Sequence, residues 1–149
     1  MGYKISIYEE KCWGCKACEV ACRSGNGVNS KKGPIMVQEY GPRYEGERLV
    51  TSYKIRVCRH CEDPPCVDAC PDSAIFKTEE GIVLIDGDRC TGCGFCASSC
   101  PYDAIFFDPL EGKVVKCDMC QDRIKSGLYP YCAEGICMGD CIILHNKTL

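Results

Sequence analysis

The sequence predicts an α+β fold of two pseudo-symmetric lobes, its short strands and helices gathered around clustered thiols instead of a conventional apolar core. Three observations predict it. Sixteen of the 17 cysteines fall into four consecutive groups. A turn and a short apolar strand follow the second and third groups, and a degenerate copy follows the fourth. Alternating apolar segments stand near both ends of the sequence and are expected to pair.

The first group is Cys12, Cys15, Cys18 and Cys22, spaced C-x2-C-x2-C-x3-C. The second is Cys58, Cys61, Cys66 and Cys70, with four residues in its middle gap and Pro71 behind it. The third, Cys90, Cys93, Cys96 and Cys100 followed by Pro101, is the run that holds [4Fe–4S] clusters in bacterial ferredoxins, where the fourth cysteine ligates the partner cluster. The fourth is stretched: Cys117, Cys120, Cys132 and Cys137. Four groups of four imply four [4Fe–4S] clusters in 149 residues and a tandem bacterial-ferredoxin-like fold. A C-x2-C-x2-C loop brings three thiolates to one cube. The cysteine that follows after three intervening residues, expected to enter a helix, points to the neighbouring cube, and the proline behind it fixes φ and turns the chain away.

In chain order, Lys4 to Glu9 alternates as a strand and leads into the first group. Residues 23–57 hold no cysteine and read as a looped excursion with a strand pair near Ile35-Met36-Val37 and Leu49-Val50. As a surface it is either a plain insertion or a docking face for a larger subunit. Cys70-Pro71-Asp72-Ser73-Ala74-Ile75-Phe76 aligns with Cys100-Pro101-Tyr102-Asp103-Ala104-Ile105-Phe106, and the strands Gly81–Ile85 and Gly112–Val115 follow. In the third copy, Cys137-Met138-Gly139-Asp140-Cys141-Ile142-Ile143, the register puts Cys137 at the ligand position and Cys141 where Ala74 and Ala104 sit. Two other outcomes stay open: Cys141 ligates while Cys137 packs, or the fourth site is damaged. Groups two and three then form an inner lobe at about 54–108. Groups one and four form an outer lobe from 1–24 and 112–149, closed by the terminal strand Cys141–His145.

Zinc would call for paired C-x2-4-C knuckles, often with His, and only His60 and His145 are present. A disulfide framework belongs to secreted chains, whereas Met1-Gly2-Tyr3-Lys4 runs into a strand without an apolar signal region. The expected compartment is the reducing, anaerobic cytoplasm. Formal net charge is −3, and four oxidised cubes with their thiolates bring it to roughly −11. No basic run supports nucleic-acid binding, and no apolar stretch reaches membrane-span length. His60 has two readings, a donor to a cluster sulfur or backbone, or an exposed ring. Trp13 is expected to shield the first cube. Lys11, Lys16, Arg56, Arg59, Arg89, Lys116 and Arg123 flank the loops, where cations raise cluster potentials. No acid–base or nucleophilic constellation stands apart from the cysteines.

The run from Cys58-Arg59-His60-Cys61 through Pro64-Pro65-Cys66 to Cys70-Pro71 resembles a C-x-H-C-x2-P-x-C-x3-CP signature. It belongs to iron–sulfur electron-transfer subunits of the dimethyl sulfoxide reductase and formate dehydrogenase type. Cys117-Asp118-Met119-Cys120-Gln121-Asp122-Arg123, with Gly127 and Pro130 before Cys132, is similar to that family's C-D-x-C-x-D-R segment. The resemblance covers nearly the whole chain. It implies a relay of four [4Fe–4S] clusters next to a molybdenum or tungsten pterin subunit, with ferredoxin or a further redox subunit as a second partner. Without a Tat-type leader or C-terminal extension, the chain is most similar to compact cytoplasmic forms. Examples are the small subunits of tungsten aldehyde oxidoreductases and of tungsten-dependent benzoyl-CoA reductases. The resemblance also implies crossed ligand sets. Cys12, Cys15 and Cys18 join Cys137; Cys117, Cys120 and Cys132 join Cys22. Cys58, Cys61 and Cys66 join Cys100; Cys90, Cys93 and Cys96 join Cys70. The extra residue before Cys137 departs from the family pattern. The leading expectation is a non-catalytic electron-transfer subunit of an oxidoreductase complex. The alternatives are a free-standing polyferredoxin and a structural or sensing iron–sulfur protein.

Overall fold

The computed structural model describes residues 2–133 and 135–147. Met1 and residues 134, 148 and 149, all in the expected outer lobe, lie outside the described residues. Among the described residues, eight strands form four two-stranded sheets, interspersed with four short helices. This is the α+β class, assembled from small repeated pieces.

The segments near the two ends do pair. β1 (Gly2–Ile7) lies antiparallel to β8 (Ile142–Lys147), with Ile5 opposite Leu144 and Ile7 opposite Ile142. Side chains alternate across a strand, so this one face carries the isoleucines onto the larger apolar cluster. The first strand stops at Ile7, short of the expected Glu9, because Glu9–Lys11 tighten into a 3-10 turn just before Cys12.

Helix length follows from what stands behind each cysteine group. α1 (Ala17–Asn26) has 10 residues, whereas α2 (Pro65–Ala69) and α3 (Phe95–Ser99) have 5 each. Pro71 and Pro101 follow Cys70 and Cys100, but Arg23 follows Cys22. Proline lacks an N–H and pushes the preceding residue out of the helical region. Both short helices therefore end at the fourth cysteine. Each of the three helices begins one residue before the third cysteine, at Ala17, Pro65 or Phe95. The expectation that the fourth cysteine enters a helix is thus corrected for groups two and three, where it closes one.

The cysteine-free excursion is mostly sheet. β2 (Met36–Glu45) and β3 (Arg48–Arg56) form a long hairpin with a register shift between Tyr40 and Arg43. Its base is buried through Val37 and Ile55, and its tip is exposed. Two carboxylates near the first cysteine group hold that base. Glu19 Oε1 accepts the Val37 N–H, and Glu9 Oε1 accepts the Ile55 N–H at 3.0 Å.

The inner repeat is regular. β4 (Ile75–Lys77) pairs with β5 (Val83–Ile85), and β6 (Phe106–Asp108) pairs with β7 (Lys113–Val115). α4 (Gln121–Lys125) follows Cys120 directly. A smaller apolar cluster joins Ile75, Val83, Ile105 and Val114 to Cys66 and Cys96. The larger one joins Ile5, Ile35, Val57, Ile82 and Met119 to Cys18, Cys22, Cys58, Cys117, Cys132 and Cys141. Cysteine is thus a main constituent of both cores.

Candidate iron–sulfur centre

All four groups open with the same local turn. The second residue after the first cysteine has positive φ each time: Gly14 (71°), His60 (47°), Gly92 (75°) and Met119 (59°). This left-handed step turns backbone amides inward. The N–H groups of Gly14, His60 and Met119 donate to the sulfurs of Cys12, Cys58 and Cys117 at 3.4, 3.4 and 3.2 Å. Concave amide arrays of this kind bind anions and occur at iron–sulfur sites. His60 and Met119 show that a side chain can take this φ, but at the other two positions space calls for glycine. A Cβ on Gly14 would stand 2.3 Å from the Tyr53 ring, and one on Gly92 would stand 2.7 Å from the Gly112 carbonyl oxygen.

The fold brings cysteines from different groups together in four places. Cys18 faces Cys12 and Cys137, with Cys15 exposed in the same loop. Cys132 faces Cys117, Cys120 and Cys22. Asn26 Nδ2 reaches Cys22 Sγ at 3.5 Å and Cys120 Sγ at 3.9 Å. Cys61 and Cys66 each face Cys58 and Cys100. Cys96 faces Cys90, Cys93 and Cys70, and those four cysteines line one small cavity with Ala74, Ile75 and Val114. The four sets also adjoin in a row. Cys18 lies within electrostatic reach of Cys132 and Cys117 within that of Cys58, all four in the larger apolar cluster, and Cys66 shares the smaller cluster with Cys96. Cys15 and Cys93, one at each extreme, are the exposed members.

The third copy of the repeat keeps the geometry of the other two. Ser73, Asp103 and Asp140 have φ of 51°, 50° and 51°. Their N–H groups donate to the carbonyls of Cys70, Cys100 and Cys137 at 3.3, 3.3 and 3.2 Å. One residue further on, the Ala74 and Cys141 N–H groups donate to the sulfurs of Cys70 and Cys137 at 3.3 and 3.2 Å. Cys137 therefore sits where Cys70 and Cys100 sit. The additional residue is absorbed in a turn, where the Ile136 and Cys137 N–H groups both reach the Ala133 carbonyl. Cys141, only 1% exposed, packs like Ala74 and Ala104, although its thiol also faces Cys12 and Cys137.

Burial acts first on these thiols. It pushes Cys18 and Cys141 up to about 12 and Cys22 and Cys66 up to about 11, and it raises Cys61, Cys96, Cys117, Cys120 and Cys132 as well. Thiols so placed ionise when metal takes the proton's place. His60 is buried, and its Nδ1 accepts the Val83 N–H at 3.0 Å. Burial, and then the charge of Lys116, lower its pKa to about 3. The ring is neutral, with its proton on Nε2, and the reading of His60 as an exposed ring falls. Trp13, the residue expected to shield the first cube, is 65% exposed, and the Tyr53 ring packs against Gly14 in the same loop. Neither Asn26 nor Tyr53 carries any signal in the sequence that marks it as part of the site.

Among the described residues, no group of three or more His, Cys, Asp or Glu side chains is placed to hold a single metal ion. A cube asks less of its ligands, because four irons standing apart let the thiolates stand apart. The sets fit that group through their all-thiol donors and through the amides aimed at sulfur in three of the loops and behind two fourth cysteines. Fold and site together define a ferredoxin-like iron–sulfur protein.

Two models described as a 4Fe-4S dicluster domain match residues 49–147 and 11–75. The protein belongs to this dicluster family, and two diclusters give four [4Fe–4S] clusters. It is 38% identical over 143 residues to the B subunit of tetrathionate reductase from Salmonella typhimurium, covering 95% of this sequence and 57% of that protein. It is 38% identical over 141 residues to the thiosulfate reductase electron transfer subunit of Salmonella typhi, covering 93% and 73%. It is 37% identical over 139 residues to the B component of anaerobic dimethyl sulfoxide reductase from Escherichia coli, covering 89% and 68%. The sequence thus spans little more than half the length of the first of these relatives. Among the described residues, no helix is long and apolar enough to cross a membrane.

Proposed function

We propose that this chain is the electron-transfer subunit of an oxidoreductase complex, relaying single electrons to or from a larger catalytic subunit and catalysing no reaction itself. The observation that carries the reading is the row of four cysteine sets, exposed only at its two extremes. The relatives' names support it, since all three are components of reductases and one is called an electron transfer subunit. They favour a subunit over a free polyferredoxin. The proposed partner is a molybdenum or tungsten pterin enzyme, with ferredoxin or another redox subunit at the far end, in the cytoplasm.

The proposed ligands are four crossed sets: Cys12, Cys15, Cys18 and Cys137; Cys117, Cys120, Cys132 and Cys22; Cys58, Cys61, Cys66 and Cys100; Cys90, Cys93, Cys96 and Cys70. When bound, each cluster takes up and gives back one electron at a time. The chain's own residues do the rest. Backbone N–H groups at Gly14, His60, Ala74, Met119 and Cys141 donate to ligand sulfurs and favour the more negative state. Tyr53 and the buried isoleucines keep water away. We also read groups two and three as the inner lobe, at about 54–108, and groups one and four as the outer lobe, from 1–24 and 112–149.

Co-expression with the neighbouring genes, followed by anaerobic purification and iron and sulfide analysis, tests this reading. A larger subunit should copurify, with about sixteen iron and sixteen sulfide per copy of this chain. Migration as a lone small protein defeats the subunit reading.

A further inference from the structure

We propose that Lys116 is a fixed counter-cation shared by two clusters, those assigned to Cys58, Cys61, Cys66 and Cys100 and to Cys117, Cys120, Cys132 and Cys22. The inference rests on the ligand sets proposed above. Of the seven cations flanking the cysteine loops, Lys116 alone is buried, at 8% exposure. Five of the others are engaged elsewhere. Arg56 pairs with Asp103, Arg59 with Glu9 and Arg89 with Asp86, while Arg123 lies over Tyr131 and Lys11 over Tyr8. Lys16 is exposed.

The Lys116 ammonium donates to the Val83 carbonyl and, at 2.6 Å, to the Cys117 carbonyl. Both acceptors are neutral, and among the described residues no carboxylate pairs with it. An ammonium has three donors, and a buried one without a counter-charge is strongly disfavoured. Negative charge comes to this junction when the cysteines bind iron as thiolates. Lys116 acts electrostatically on Cys66 and on Cys117, one from each set, and Cys58 stands beside both of these thiols. Its position is enforced by Val83, which is fully buried in β5. The Val83 carbonyl takes the Lys116 ammonium, while the Val83 N–H donates to His60 in the second cysteine loop. One residue therefore ties the approach to group four to the loop of group two, with the cation at the junction.

A four-thiolate cube becomes more negative by one unit on accepting an electron, so a cation at this junction favours the reduced state of both neighbours. The two outer clusters lie beyond it. Lys116 is a positioning charge for electron flow, and reduction potential is the readout that separates this from packing.

The test is an anaerobic titration of the full chain, reduced by dithionite and followed by electron paramagnetic resonance, in wild type, Lys116→Met, Lys116→Gln and Lys116→Arg. In the Met and Gln variants, two of the four clusters should shift at least tenfold toward the oxidised form, which is 59 mV for one electron. Lys116→Arg should leave both near wild type. Gln can still bond a carbonyl, so equal effects of Gln and Met isolate the charge. Loss of about half the iron in the neutral variants, with full loading of Arg, also supports the proposal. Unmoved potentials in Met and Gln, an equal shift of all four clusters, or an Arg variant that behaves like Met overturns it. Variants that titrate like a fully loaded wild type sink this inference alone. A wild-type protein without cluster iron sinks the ligand reading beneath it.

Discussion

At the residue scale, the sharpest question concerns Cys137 and Cys141. Asp140 repeats the left-handed step of Ser73 and Asp103, and Cys141 donates its N–H to Cys137 Sγ as Ala74 does to Cys70. Cys137→Ser should lower iron from about sixteen to about twelve atoms per chain, whereas Cys141→Ala should leave the count unchanged. The reverse pattern, read by iron analysis and paramagnetic resonance, would move the ligand to Cys141. This register was legible in the sequence because Cys-x3-Ala recurs. The turn residues of two loops were not, because His60 and Met119 adopt a conformation that side chains disfavour and that only the tertiary surroundings sustain. Lys116 shows the same limit. In the sequence it is one of several cations near cysteines, and only the fold separates it from those that face solvent or pair elsewhere.

At the scale of elements, helices and strands follow rules that can be read locally, with one exception. Proline after the fourth cysteine sets the length of α2 and α3, and period-two alternation sets the pairing of β1 with β8. The β2–β3 hairpin was only half visible, because most of its residues are exposed and carry no apolar alternation. It is held in part by Glu19 and Glu9, whose carboxylates accept the Val37 and Ile55 amides. Charged acceptors of this kind contribute about 1.5–3 kcal/mol each. Glu19→Ala should therefore speed hydrogen exchange at Val37 by at least tenfold, with little change in β4–β7. Exchange at Val37 that stays as slow as in the wild type, or that speeds equally in all three hairpins, would show that Glu19 does not anchor the sheet.

For the whole molecule, stability and loading are one process, because cysteines make up so much of both apolar clusters. Removing iron with a chelator under anaerobic conditions should abolish the far-ultraviolet circular dichroism signal along with the cluster absorbance. A protein that keeps its native spectrum after complete iron loss would contradict this. Loading should also strengthen as pH rises. Burial carries Cys18 to about 12 and Cys66 to about 11, from an ordinary value of 9.0. Each proton displaced by iron then favours binding about tenfold per pH unit until the free thiol ionises. Competition against a chelator at pH 6.5 and pH 8 measures the slope, and a flat response would mean that no protons leave. The exposure of Cys15 and Cys93, at opposite extremes of an otherwise sheltered row, has a further consequence for handling in oxygen. Air should corrode this protein from its tips inward, spoiling the two terminal contacts while the middle of the circuit is still intact.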